Sequence, residues 1–233
     1  MLDKNTTISI IIPIINELKA LSVLLPYLKK NSRHPNQTEI IVVDGGSTDY
    51  SKDLCILYGA KVVNSRKGRA IQLNKGAEIA KGNILYFLHA DSIPPRYFDQ
   101  IILDNCSIPH QSGCFKVKFD ENHWLLNFSA WLTQFKYALF RGGDQSLYIE
   151  KGLFQNIGGY RGDYLIMEDY EIIERIKKNT RFKVLPQQIL TSVRNYEKNG
   201  VFRLQYLYGI IQLRYWLGYE QMRLVDYYKK KII

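Results

Sequence analysis

The alternation of two hydrophobic periods over the first ninety residues constrains this chain most. Ile8 to Ile12 is a continuous β-branched run, the pattern of a strand buried on both faces. Glu17 to Lys30 switches to helical spacing through Leu18, Leu21, Leu24, Leu25 and Leu28. Glu39 to Val43 reads as a second buried strand, Asp53 to Tyr58 as a short helix, and Ala60 to Val63 as a third strand. Arg69 to Ala80 is helical, with Ile71, Ala77 and Ile79 apolar, and Ile84 to Leu88 is a fourth strand ahead of His89-Ala90-Asp91. This rhythm implies right-handed crossovers and an α/β fold, a mainly parallel sheet flanked by helices. Ligands of such sheets sit beyond the carboxyl ends of the strands. Asn16 and Glu17, Asp44 to Ser47, and Asp91 all fall at that edge.

The rhythm then changes. Cys114 to Phe119 alternates like a strand, Gln145 to Ile149 is another, and Phe182 to Leu185 and Ile189 to Val193 read as two short ones. His123 to Phe140 has helical spacing, with Trp124, Phe128, Trp131 and Phe135 on one stripe. Such a stripe can wall an acceptor site, enter a membrane interface or pack on the sheet, and packing is the expectation, since aromatic stripes usually form core. Asp169 to Lys178 is a helix with an acidic start and a basic end, which suits its dipole. Phe202 to Leu217 and Gln221 to Tyr228 are terminal helices. No repeat or linker interrupts the chain, so one fused domain is expected over residues 1–233.

Composition narrows the class. Of 233 residues, 46% are hydrophobic and 23% charged, which excludes disorder, collagen-like repeats and coiled coil. No apolar run has the roughly 18 residues of a spanning helix. Met1 to Thr7 is polar and contains Asp3, unlike a secretory leader. Cys55, Cys106 and Cys114 are an odd set without CxxC spacing, so reduced thiols in a cytoplasmic protein are expected. The net charge is +10, and from Arg194 onward eight Lys/Arg against three Asp/Glu supply half of it. Nucleic acid, anionic lipid and phosphorylated small molecules all suit that charge, as does a solvated basic face.

The candidate chemistry lies in short segments. Asp44-Gly45-Gly46-Ser47-Thr48-Asp49 is a Gly-rich turn after the second strand, and it matches neither a phosphate loop nor GxGxxG. Asp44 can accept from a ribose hydroxyl or a base N–H, or simply cap its own turn. Asp91 suits a hard divalent cation that also takes diphosphate oxygens, or a turn cap ahead of Pro94-Pro95. Glu168-Asp169 opens a helix, where a carboxylate either stabilises the terminus or acts as a general base. Gly158-Gly159-Tyr160-Arg161-Gly162 precedes it and can shape a pocket. Arg66, Lys67, Arg69 and Arg194 are candidate phosphate contacts. Arg69 stands out because a cation at a helix start opposes the dipole.

Together these residues resemble a family 2 glycosyltransferase with the GT-A fold. The likeness runs through Ile10-Ile11-Ile12-Pro13 with Asn16-Glu17, Ile41-Val42-Val43-Asp44-Gly45-Gly46-Ser47-Thr48-Asp49, Lys67-Gly68-Arg69, and Asn74-Lys75-Gly76. It continues through Leu88-His89-Ala90-Asp91, Gly143-Asp144-Gln145, Gly158-Gly159-Tyr160 and Met167-Glu168-Asp169, in the family's order over nearly the whole chain. Leu88-His89-Ala90-Asp91, Gly143-Asp144-Gln145 and Leu213-Arg214-Tyr215-Trp216-Leu217-Gly218 are also similar to a bacterial subgroup labelled arsenosugar-biosynthesis glycosyltransferases.

The resemblance implies a GT-A nucleotide-diphospho-sugar transferase fold with a helical C-terminal part. Residues 1–92 would form the nucleotide-binding half and 93–233 the acceptor half. It implies inverting transfer from a nucleotide-diphosphate sugar to an acceptor hydroxyl. Donor contacts would come from Pro13, Asn16, Glu17, Asp44, Gly45, Ser47, Arg69, His89 and Ala90. Asp91 would hold a divalent metal, Mg²⁺ or Mn²⁺. Asp169 would be the catalytic base with Glu168 beside it, and Gly143, Asp144, Gln145 and Tyr160 would meet the acceptor. His89 stands where the family's Asp-x-Asp motif has its first aspartate, which changes the charge offered to donor and metal. Gln212-Leu213-Arg214-Tyr215-Trp216 is one spacing off the processive Gln-x-x-Arg-Trp, so a polysaccharide synthase is not expected. The Lys229-Lys230-Lys231 tail suits an anionic membrane surface on the cytoplasmic side, and with it a lipid-linked acceptor. Acidic residues at the presumed site argue against nucleic acid there. Two rival classes stay open, a nucleotidyltransferase and a non-catalytic basic lipid- or nucleic-acid-binding module.

Overall fold

The computed structural model describes residues 7–132 and 146–232. The first half follows the expected rhythm: β1 (Ile8–Ile14), α1 (Leu18–Asn31), β2 (Thr38–Asp44), α2 (Ser51–Leu57), β3 (Lys61–Asn64), α3 (Arg69–Ile79) and β4 (Ile84–Phe87). The rest contains β5 (Ser92–Ile93), α4 (Phe98–Asn105), β6 (Ser112–Phe119), α5 (Trp124–Leu132), β7 (Leu147–Glu150) and α6 (Lys151–Asn156). It ends with α7 (Glu168–Asn179), β8 (Phe182–Thr191), α8 (Arg194–Asn199), α9 (Val201–Trp216) and α10 (Gln221–Lys231). The strands form one mixed, mostly parallel sheet in the order β3-β2-β1-β4-β7-β6-β8-β5.

β1 pairs in parallel with β2 on one side and β4 on the other. The crossovers step outward from β1 to β3 and then return to β4, so the strand order reverses between β1 and β4. A crevice opens at such a reversal, beyond the carboxyl ends. The β-branched run of β1 is continuous because both of its faces are covered. Ile10, Ile12 and Ile14 pack with Leu21, Leu24 and Leu28 of α1, while Ile11 packs with Leu73 and Ala77 of α3 and Ile172 of α7. Gly76 lets α3 approach closely: a Cβ there would stand 2.4 Å from Ile11 Cγ2.

Three differences from the sequence reading have physical reasons. The two short strands after residue 181 are one strand, β8, whose register against β6 jumps from Leu185 to Gln188. Pro186 sits in that bulge, where its missing N–H interrupts no ladder bond. Helices α6 and α8 are only 6 residues each, too short for a periodic signal. The aromatic stripe of α5 does not pack as core. Trp124, Phe128 and Trp131 are 66%, 52% and 50% exposed, while Leu126 and Ala130 on the opposite face are buried. The rest of that expected helix, beyond residue 132, lies outside the described residues.

Asp99 of α4 ties the end of α1 in place. It is fully buried and accepts from Ser32 Oγ at 2.6 Å, Arg33 N at 2.9 Å and His34 N at 2.6 Å. Burial pushes its carboxyl up, but the bonds from Arg33, Ser32 and His34 outweigh it and leave the group below its usual value. A folded-state value below the unfolded one adds stability above about pH 4 that is lost as pH falls through the lowered value. Asp99→Asn turns a donor toward donors and is expected to cost about 1–3 kcal/mol at neutral pH. Urea unfolding at pH 7 and in acid checks this: the gap to wild type should narrow in acid, and a constant gap would refute the linkage.

Candidate active site

At the carboxyl edge, β1 and β2 hand over to two interlocked turns. Gly45 N donates to Ile14 O at 2.9 Å, and buried Gln72 of α3 donates to both Ile14 O and Val43 O. Asn16 adopts a left-handed backbone, φ 54°, which asparagine tolerates. Its Oδ1 accepts from Thr48 N at 2.7 Å, and its N–H donates to Ser47 Oγ at 2.9 Å. Ser47 N in turn donates to Asp44 Oδ1 at 2.9 Å, so Asp44 caps its own turn. Its other oxygen lies 3.7 Å from Lys52 Nζ. A Cβ on Gly45 would crowd Ile15 and Gln72 to about 2.9–3.0 Å, so this turn requires glycine.

Arg69 is the hub of the site. Its Nη2 lies 2.9 Å from Asp169 Oδ2 and its Nε 3.2 Å from Glu168 Oε1. It also meets His89 Nε2. The cation that opposes its own helix dipole therefore answers two carboxylates at the start of another helix, where the dipole favours them. Met167, just before this pair, has φ 66°, a costly conformation for a residue of its kind, and such strain clusters at functional sites. Tyr160 is buried against Phe87 and Phe154, and its hydroxyl lies 3.5 Å from Asp169 Oδ1. Burial foremost, then the Asp169 charge, pushes its phenol well above the ordinary value, so it stays a donor. Pro13, Arg69, His89, Tyr160 and Asp169 line one small cleft.

A second group lies nearby. Arg194, the first residue of α8, makes a two-pronged bond to Glu17 at 3.1 and 3.2 Å and lies 3.8 Å from Asp91 Oδ2. Burial raises the Asp91 carboxyl, and Arg194 counters it. Asp91 offers one hard oxygen donor, and no cluster of three or more His, Cys, Asp or Glu among the described residues could hold a metal unaided. Asp91 fits a divalent cation as a single protein ligand beside the oxygens of a diphosphate.

The structure thus gathers Pro13, Arg69, His89, Glu168, Asp169 and Tyr160 at one point, with Glu17, Asp91 and Arg194 beside them. Asn16, Asp44, Gly45 and Ser47 form the adjoining turns. Ala90 is buried between His89 and Asp91. Gly143, Asp144 and Gln145 lie outside the described residues. Sequence reasoning missed two supports. Asn74 brackets Tyr160, donating to its carbonyl at 2.7 Å and accepting from its N–H at 2.9 Å. Arg175, paired with Glu171, donates to Gly159 O at 2.7 Å and so holds the Gly158-Gly159 turn. Asn74 had a signal, its place in Asn74-Lys75-Gly76, but Arg175 reads as an ordinary charge four residues after Glu171.

The crossover sheet, the Gly-rich turn after its second strand and the carboxylate pair at a helix start fit a transferase of the GT-A fold. The family model described as "Glycosyl transferase family 2" matches residues 9–155, and the chain belongs to that family. Several solved structures share the fold. S. aureus TarS superposes with a TM-score of 0.68 at 18% identity, covering 85% of this chain and 39% of its own. Mannosyltransferase PcManGT from Pyrobaculum calidifontis, in complex with GDP-Man and Mn²⁺, gives 0.67 at 19%, covering 88% and 62%. Glucosyl-3-phosphoglycerate synthase from Mycobacterium tuberculosis, in complex with Mn²⁺, UDP and glucosyl-3-phosphoglycerate, gives 0.64 at 18%, covering 89% and 78%. The chain thus spans about two fifths of TarS and under two thirds of PcManGT. No curated protein matches it by sequence. Among the described residues no helix is long and apolar enough to cross a membrane.

Proposed function

We propose that this protein is an inverting glycosyltransferase that moves a sugar from a nucleotide-diphosphate donor to an acceptor hydroxyl. The observation that carries the reading is Arg69, which joins His89, just beyond β4, to Glu168-Asp169 across the cleft. In this reading residues 1–92 bind the nucleotide and 93–233 the acceptor. Pro13, Asn16, Glu17, Asp44, Gly45, Ser47, His89 and Ala90 shape the base and ribose site, and Arg69 supplies a polar contact to the donor. Complexes of the neighbours with GDP-Man, UDP and Mn²⁺ support a nucleotide donor and a metal. Asp91 would hold Mg²⁺ or Mn²⁺, which offsets charge on the departing diphosphate.

Asp169 takes the proton of the acceptor hydroxyl. That oxygen attacks the anomeric carbon from the face opposite the diphosphate, and the bond to the diphosphate breaks with its electron pair. Tyr160 donates to Asp169 and fixes its orientation, a positioning role in addition to the acceptor contact expected of it. Gly143, Asp144 and Gln145 remain assigned to the acceptor. The finer likeness to arsenosugar-biosynthesis glycosyltransferases rests on the sequence segments alone. A cytoplasmic setting is part of the same proposal.

The test is a thermal-shift screen of UDP, GDP, CDP and dTDP with and without Mn²⁺. Ligands of the native state raise Tm by linkage. One nucleotide should shift Tm, with a metal dependence that Asp91→Ala removes. No shift with any of them would count against the reading, and pyrophosphate release during turnover would point to a nucleotidyltransferase. Arg194→Gln breaks a largely solvent-screened pair and should leave unfolding nearly unchanged. It should weaken the nucleoside diphosphate about tenfold or more, and the bare nucleoside much less, through the freed Glu17. Equal weakening of both, by calorimetry, would remove Arg194 from the phosphate site.

A further inference from the structure

The carboxylate pair Glu168-Asp169 follows a loop, 157–167, that two separate groups of residues hold. Its first part is fixed by Asn74 on Tyr160 and by Arg175 on Gly159. Its second part is fixed by the two C-terminal helices. Gln221, the first residue of α10, accepts through Oε1 from Leu165 N at 3.1 Å and from Ile166 N at 3.3 Å. Gln212 of α9 donates to the hydroxyl of Tyr170, the residue after Asp169. Tyr215 of α9 lies against Tyr164 and Tyr170, with ring centroids 6.2 and 6.5 Å away. The family match ends at residue 155, ahead of this loop and of both helices.

Successive N–H groups that converge on one point form a nest, which favours an acceptor carrying negative charge. Gln221 fills it with the partial charge of an amide oxygen. The next residue is Met167, at φ 66°. A residue other than glycine keeps that conformation only where its surroundings over-determine it. Met167 packs against the larger core cluster, to which α9 contributes Leu204, Leu207 and Ile211. Held at the nest on one side and at Tyr170 on the other, this turn presents Glu168 and Asp169 to Arg69. Leu165 is exposed and Gln221 half-buried, so water can replace a lost bond there. Removing the Gln221 oxygen therefore leaves the fold in place and frees the loop just ahead of the two carboxylates.

We propose that Gln221 is a positioning residue for Asp169, and that the α9–α10 pair is thereby part of the catalytic architecture. The inference rests on the transferase reading. The test follows release of nucleoside diphosphate from UDP-glucose, GDP-mannose, CDP-glucose and dTDP-glucose with Mn²⁺, with water as the acceptor. The water oxygen attacks the anomeric carbon, Asp169 takes the water proton, and the diphosphate leaves with the electron pair of the broken bond. Gln221→Met keeps the length of the side chain without the accepting oxygen. It should lower kcat about tenfold or more with the donor KM within about twofold, because the loop and not the nucleotide site is displaced. Gln221→Glu restores an accepting oxygen and should stay within about twofold of wild type in kcat. The unfolding midpoints of all three proteins should agree closely, since the site is half open to water. A lowered midpoint with kcat unchanged would make the bond purely structural and overturn the positioning role. So would a Gln221→Glu variant as slow as Gln221→Met, because the accepting oxygen would then not be what matters. A wild type that turns over none of the four donors removes the transferase reading and this inference together, whereas turnover that Gln221→Met leaves unchanged removes this inference alone.

Discussion

Asp169→Asn should lower kcat about 10²–10⁴-fold, the usual worth of a positioned general base, while nucleotide affinity stays within about twofold. The substitution is isosteric, and the amide oxygen can still accept from the Tyr160 hydroxyl that lies 3.5 Å from Asp169 Oδ1. What disappears is the capacity to take a proton from the acceptor, together with the charge that answers Arg69. A loss in kcat and kcat/KM together is the signature of an interaction used in the transition state. Steady-state turnover and a separate donor titration measure the two quantities independently. Near-normal turnover would remove Asp169 from the role of base, and a loss confined to donor binding would make it a donor contact instead.

Arg69→Met has the second large effect, on stability and activity at once. Glu168 and Asp169 have side chains only 7% and 10% exposed, and Arg69 is the cation both carboxylates meet. Breaking a buried pair typically costs about 3–5 kcal/mol because one charge is left uncompensated. The Arg69 side chain is 31% exposed, so solvent screening places the expected loss near the lower end, about 2–3 kcal/mol. Adding Asp169→Asn in the Arg69→Met background should recover part of that loss, since one of the two stranded charges is then gone. Denaturant unfolding of the four proteins forms a double-mutant cycle, and its coupling energy should be well above zero. Additive effects would mean that Arg69 supports the fold without compensating Asp169.

The first half of the chain was legible because its strands are covered on both faces and its helices are long. Continuous β-branched runs and leucines at helical spacing leave little choice, and β1 through β4 differ from expectation by a few residues. The later elements were harder to read for local reasons. The bulge at Pro186 made one strand look like two, and α6 and α8 are shorter than two turns. The α5 stripe misled because helical spacing states that a face is apolar but not what lies against it. In the site, a charge opposed to its own dipole singled out Arg69, which the structure pairs with two carboxylates. Its partners 20 and 100 positions further along the chain are a matter of tertiary distance, which no local pattern encodes. Asn16 and Ser47 were read as donor contacts, and the structure shows them holding two turns together.

Gly76 lies two helical turns beyond Arg69 on the same face of α3, and its missing Cβ sets how deeply that helix settles on Ile11. The helix behaves as a depth gauge whose stop is at one end and whose pointer is a guanidinium at the other. A methyl group at the stop would lift the rod and draw the pointer back from His89, Glu168 and Asp169, although it would touch none of them. Reach across the cleft is therefore set in part by a hydrogen atom where other residues carry carbon. A search for altered donor or acceptor choice would do well to keep Gly76 and Ile11 fixed while it varies the walls.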